Sequence, residues 1–216
     1  MQKIVALIAL AVALFLFPSV TANAAAAVPD EQRLRSCLAK ADDLPDAAKA
    51  DADNWYKQGG GDAAVLCRAT AEFHTGDFFK SAQEFSAVAA KQTDPRRASL
   101  LYRQAGLAYS RVENYNKSEE AYGQALKYEA QDPDLWCDRA RARASAQHYW
   151  EAIDDLNKAL SIMPDMPEAL RLRGQAWYKL GLAKNAEADF RKVAEIQAEE
   201  DVANSRFHPG TNKKTP

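Results

Sequence analysis

Small and large apolar positions recur along this chain on a 34-residue beat. Gly106, Ala140 and Gly174 are evenly spaced, and so are Tyr115, Tyr149 and Ala183. With each segment started so that the small residue falls at position 8, Tyr102, Trp136 and Leu170 share position 4, and Ser118, Ala152 and Ala186 share position 20. Tyr122, Leu156 and Phe190 share position 24; Ala125, Ala159 and Val193 share position 27. Small residues at 8 and 20 let two helices approach closely, and the larger ones at 4 and 24 fill the space around the crossing. The beat therefore predicts an all-α array in which every unit is a pair of facing helices.

These positions, together with Pro164 at position 32, resemble the tetratricopeptide repeat, a helix-turn-helix unit with the pattern W-x2-L-G-x2-Y followed by A-x3-F and P. The resemblance implies a right-handed superhelical stack. An earlier segment joins the series if Gly76-Asp77-Phe78 is an interhelical turn, placing Ala69 at position 8, Ser81 at 20 and Phe85 at 24. Four repeats then occupy about 62–94, 99–132, 133–166 and 167–200. The first step is 37 residues instead of 34, and the surplus predicts a longer connection around Thr93-Asp94-Pro95. Before the array, a helical segment from Asp30 to about Asp42, the break Leu44-Pro45, a second helical stretch ending near Trp55-Tyr56 and the breaker Gly59-Gly60-Gly61 read as a degenerate helical pair. Residues 25–61 are thus expected to cap the array.

Positions 7 and 23 vary together. Arg68, Arg139 and Arg173 stand with Glu84, Asp155 and Asp189, while in the remaining repeat Ala105 stands with Ala121. Because the two positions lie on facing helices of one unit, the covariation predicts structural ion pairs within three of the four repeats, arginine's planar fork matching a carboxylate.

The ends read differently from the array. Residues 1–24 carry a positive start at Lys3, an apolar run from Ile4 to Phe17 and the small-residue site Ala22-Asn23-Ala24, the layout of a secretory signal cleaved near Ala24. Residues 201–216 are polar, hold Pro209, Gly210 and Lys213-Lys214, and are expected to form a disordered tail. Loss of Lys3 with the signal moves the net charge from -2 to -3, which speaks against nucleic-acid binding, and the mature chain offers no segment long enough to span a membrane. Export to the periplasm or beyond opens disulfide chemistry to the three cysteines. In stacks of the tetratricopeptide type the first helices of neighbouring units lie side by side, so the resemblance implies a Cys37–Cys67 bridge; two buried thiols are the alternative. Cys137, at position 5 of the third repeat, is left as an apolar filler or a free thiol.

No nucleophile elbow, phosphate loop, dinucleotide fingerprint or metal-ligand spacing occurs, so no enzyme activity, cofactor or metal is expected. In the family that the repeats resemble, positions 2, 5, 9, 12 and 13 of the first helices line a concave groove. Carried over, partner binding falls to Arg103, Leu107, Arg111, Arg141, Arg171, Gln175, Tyr178 and Lys179, with Leu66, Thr70, Phe73, His74 and Leu100 earlier in the same groove. Positive groups outnumber acids there, which suits an acidic peptide or protein partner. The expectation is a non-enzymatic interaction scaffold in the bacterial periplasm or cell envelope. Two alternatives stand beside it: a redox-active or enzymatic thiol protein using Cys137 or the cap cysteines, and an envelope assembly factor that self-associates into a homo-oligomer.

Overall fold

The structure, a computed structural model, describes residues 30–207. The segment read as a signal, 1–24, and the tail from 208 onward lie outside the described residues. Among the described residues the chain forms ten helices and no strand. The cap is α1 (Asp30–Asp43) and α2 (Pro45–Lys57). Four pairs follow: α3 (Gly61–Thr75) with α4 (Phe78–Ala89), α5 (Pro95–Arg111) with α6 (Tyr115–Tyr128), α7 (Pro133–Ser145) with α8 (Tyr149–Ile162), and α9 (Pro167–Lys179) with α10 (Ala183–Phe207).

One local device turns the chain inside each unit. The residue at position 15 adopts positive φ: Gly76 at 90°, Glu113 at 56°, Gln147 at 65° and Gly181 at 75°. The next N–H reaches back to the carbonyl at position 11, as Asp77 to Glu72, Asn114 to Tyr109, His148 to Arg143 and Leu182 to Trp177, at 2.8 to 3.0 Å. This left-handed stop satisfies carbonyls that a helix end leaves open. Proline then starts the first helix of the next unit at Pro95, Pro133 and Pro167, where its missing N–H costs nothing; Asp94 and Asp132 cap two of these starts by accepting from Arg96 N and Asp134 N.

Position 8 sets the distance between the two helices of a unit. A Cβ at Gly106 would stand 2.8 Å from the Tyr122 ring, and one at Gly174 would stand 2.6 Å from Phe190, so in these two units the ring at position 24 packs directly over a glycine, whereas the first unit combines Phe85 with Ala69. Where position 24 is Leu156, Ala140 is accommodated. Ser81 and Ser118, both fully buried at position 20, donate to the carbonyls of Ala69 and Gly106 at 2.7 and 2.8 Å, which pays the desolvation of their hydroxyls. The array's core runs along these crossings through Phe85, Val88, Leu101, Tyr122, Leu126, Leu135, Leu156 and Leu170.

Two boundaries differ from the sequence expectation. The three-residue surplus before the second repeat is mostly helix, not connection: α5 has 17 residues against 13 in α7 and α9, because the Asp94 cap and Pro95 start it a turn early. At the other end, α10 has 25 residues against 14 in α6 and α8 and continues past residue 200 to Phe207, into the segment expected as tail. Loss of hydrophobic period at 200 is not loss of helix. The Glu- and Ala-rich run contains no helix breaker before Pro209.

Candidate functional site

The arginines of position 7 point inward, between helices. Arg139 forks onto Asp155 at 2.9 and 2.7 Å, Arg173 onto Asp189 at 2.9 and 2.7 Å, and Arg68 holds Glu84 at 2.8 Å. Each acid is buried or nearly so. The same arginines also reach the second helix of the preceding unit: Arg68 pairs with Asp53 at 3.1 Å, Arg173 bonds Asn157 at 2.7 Å, and Gly123 leaves room beside the Arg139 guanidinium. They are ties between units. In the second repeat the pair is replaced by Ala105 and Ala121, both buried, so the apolar solution is already built into the same fold.

The cap is fastened to the array by its cysteines. Cys37 of α1 and Cys67 of α3 form a disulfide-distance pair with Cα atoms 5.8 Å apart. Around them Ala41, Ala48, Ala52, Trp55, Ala64 and Ala71 close a small core whose alanines bring α1, α2 and α3 together. Cys137 lies apart, 2% exposed against the Met166 sulfur at 3.9 Å, and burial pushes its thiol up to about 12. A thiol held protonated and covered is a poor nucleophile.

With the cap in place, α1, α3 and α5 enclose a concave cavity of about 390 Å³. Leu34 and Leu38 of α1 form one wall, Leu66, Thr70 and Phe73 of α3 the floor, and Leu100, Leu101 and Gln104 of α5 the other wall; His74 and Arg97 stand at its edge. Leu100 is 55% exposed in spite of its apolar surroundings. His74 contacts Asp42 at 3.2 Å, joining α3 to α1 beside the opening.

Further along, the concave face changes character. Arg103 of α5 bonds Asp138 of α7 at 2.7 Å and lies 3.8 Å from Asp132. Arg141 bonds Asp138 at 2.9 Å and Glu168 of α9 at 2.7 Å, and Arg171 closes on the other oxygen of Glu168. The excess of positive charge read from the groove positions is therefore answered by acids, Asp138 at position 6 among them. Of the other residues assigned to partner binding, Gln175 and Lys179 join Arg141 around a cleft of about 210 Å³ between α7 and α9, Tyr178 projects from α9 at 67% exposure outside that cleft, and Leu107 and Arg111 lie exposed on α5. The eight residues do not converge on one site.

The cavity residues missed were Leu34, Leu38 and Arg97, outside the repeat frame, and Phe85, Leu101 and Gln104, inside it but not at groove positions. Leu34 and Leu38, four apart on one helix face, were the sequence signal for the α1 wall, and Arg97 precedes the start of the second repeat. Among the described residues there is no metal-ligating cluster and no helix long and apolar enough to cross a membrane.

A tetratricopeptide repeat profile matches residues 99–132. The chain is 32% identical over 76 residues to "Protein SGT1 homolog" of Oryza sativa subsp. japonica, a stretch covering 35% of this chain and 21% of that protein. It is 26% identical over 103 residues to "Heat shock protein STI1" of Saccharomyces cerevisiae, covering 47% and 18%. The chain thus spans about a fifth of the length of these curated relatives. In fold it is similar to MamA from Desulfovibrio magneticus RS-1, at a TM-score of 0.67 and 16% identity over 80% of this chain and 95% of that one. A second MamA structure gives a TM-score of 0.64 at 17% identity, covering 80% and 95%.

Proposed function

This chain is a tetratricopeptide-repeat protein, and from that premise we propose that it is a non-enzymatic scaffold of the bacterial periplasm or cell envelope that holds a protein partner against its concave face. The observation that carries this reading is the concave cavity between α1, α3 and α5, lined largely by leucine and phenylalanine side chains, with Leu100 on its wall 55% exposed. A surface of this kind binds by apolar burial, with polar groups at its rim setting orientation. Periplasmic residence rests on the signal-like residues 1–24 and agrees with a cysteine pair fastening the cap. Thiol chemistry is the weaker reading, since Cys137 is covered and its thiol is held protonated.

Site-specific photocrosslinking in intact cells tests the reading. A crosslinking residue at Leu107, on the concave side, is expected to give discrete adducts that the same residue at Asp154, exposed on α8, does not. Identical adducts from both positions would remove the concave face from consideration. Osmotic-shock fractions should contain the protein at the mass of residues 25–216, and full-length protein confined to the cytosol would remove the periplasmic assignment.

A further inference from the structure

The concave cavity is bordered by two polar groups that the protein leaves unused. Arg97 has no ion pair among the described residues, whereas Arg103, Arg141 and Arg171 on the same face are each paired with an acid. The Gln104 side-chain amide, on the cavity wall, likewise has no side-chain hydrogen bond among the described residues. Thr70 is not available as a donor, because its hydroxyl donates to the Leu66 carbonyl at 2.9 Å. Arg97 owes its position to the break in the 34-residue beat: it rides on the additional turn with which α5 begins, one that α7 and α9 lack. Apolar volume, an unpaired guanidinium and a free amide thus converge at one place.

We propose that this cavity receives a partner peptide in which a bulky apolar side chain stands within one helical turn of a carboxylate. The apolar side chain fills the space between Leu38, Phe73 and Leu100, the carboxylate takes Arg97, and a peptide group of the partner pairs with Gln104. A peptide satisfies all three, whereas an acyl chain leaves the amide unused. The chain's own residues 208–216 are a poor match: they contain Lys213 and Lys214 and no large apolar residue. A carboxylate arriving at Arg103 or Arg141 must first displace Asp138 or Glu168, and at Arg97 it displaces only water.

This assignment rests on the concave face being the binding surface, and one experiment separates the two ideas. A displayed library of random peptides is selected on residues 25–216 of the wild type, and individual retained peptides are then measured against Arg97→Glu and Leu100→Asp. Both replaced residues are exposed, so neither change disturbs the core; unaltered circular dichroism and a still-unreactive Cys137 verify that. Retained peptides are expected to pair Phe, Leu, Ile or Trp with a nearby Asp or Glu. Leu100→Asp is expected to abolish their binding, and Arg97→Glu to weaken it about tenfold, the reversal of one rim charge pair. Lysine substituted for the acid in the peptide should restore binding to Arg97→Glu. Retained peptides without an acidic preference, or ones that bind Arg97→Glu as well as wild type, would overturn the assignment while sparing the concave face. Synthetic peptides of residues 1–24 or 208–216 binding in preference to the acidic ones would overturn it too. If no peptide is retained, the binding-surface reading fails with it.

Discussion

The two halves of the concave face are built on the same helical unit and differ in what they leave unfinished. Toward the cap, α1, α3 and α5 enclose apolar volume with unpaired groups at its edge. Toward the C-terminus, α7 and α9 present arginines already matched to Asp138 and Glu168. An exposed charge is available to a partner only to the extent that the protein has not used it. Half-exposed ion pairs contribute roughly 0 to 1 kcal/mol each, so the C-terminal ladder adds little stability; it lowers the gain any incoming carboxylate can make.

The comparison can be broken most severely from inside the array. Asp155 is 2% exposed and neutralises Arg139, with Arg143 also at 2.8 Å. Asp155→Ala strands buried positive charge and is expected to cost roughly 3–5 kcal/mol in urea unfolding. The double change Arg139→Ala with Asp155→Ala should cost less than Asp155→Ala alone, because the second repeat already folds with alanine at both positions. A double change more harmful than the single one would show that the tie does more than neutralise charge.

Next in size is the cap. Replacing Cys37 and Cys67 by serine opens a closure of 30 residues, expected to cost about 3–4 kcal/mol from loop entropy. Because α1 carries Leu34 and Leu38, the same variant should lose affinity for concave-face peptides, and the ladder of α7 and α9 should be undisturbed, as amide chemical shifts would register.

A smaller contrast separates an inner unit from the last one. Gly106→Ala drives a methyl into the Tyr122 ring, which is 3% exposed and has nowhere to move, for a cost of about 1–3 kcal/mol. Gly174→Ala meets Phe190 at a shorter distance, yet Phe190 is 40% exposed and can swing out. The helix-propensity gain of alanine, about 1 kcal/mol, then offsets most of the clash. Equal losses in thermal unfolding would contradict this account of position 8.

The smallest contrast is in acid. Burial raises the pKa of Glu72, which is fully covered in α3 with one oxygen lacking any hydrogen bond, although Lys80 pulls the other way. Its contribution to stability is therefore present below the ordinary glutamate range and is lost as pH rises through the raised value. Glu168 is the opposite: burial works upward, but Arg171 and Arg141 together outweigh it and lower the pKa. Its contribution is present above the ordinary range and is lost as pH falls through the lowered value. Urea midpoints at about pH 7 and pH 4 should show Glu72→Gln gaining on wild type at the higher pH and Glu168→Gln losing there, with both differences shrinking in acid. The same sign for the two would undo the contrast.

Much of the fold was legible because the beat records one geometry repeatedly. Small residues recur at positions 8 and 20 because the two helices of a unit cross there, and the acids at position 23 follow the arginines at position 7 because those side chains meet across the same pair of helices. Glu113 and Gln147 hid the left-handed turn, since the conformation is set by the helix stop and not by the side chain that occupies it. The candidate site was less legible, for two physical reasons. Groove positions taken one repeat at a time cannot reveal that Arg103 of one unit meets Asp138 of the next. Nor can a repeat frame see Leu34, Leu38 or Arg97, which belong to the cap and to the irregular first step. The family pattern marked Leu66, Thr70, Phe73, His74 and Leu100 of the cavity, and Leu34, Leu38 and Arg97 complete it from outside that pattern.

The division of the concave face is tested most directly by mapping where a selected peptide lands. Backbone amide shifts of residues 25–216, recorded with and without a retained acidic-apolar peptide, should move in α1, α3 and the first turns of α5, centred on Leu38, Phe73, Arg97 and Leu100. Shifts centred instead on Arg141, Arg171 and Tyr178 of α7 and α9 would contradict the account, placing the partner on the arginines that the protein has already paired.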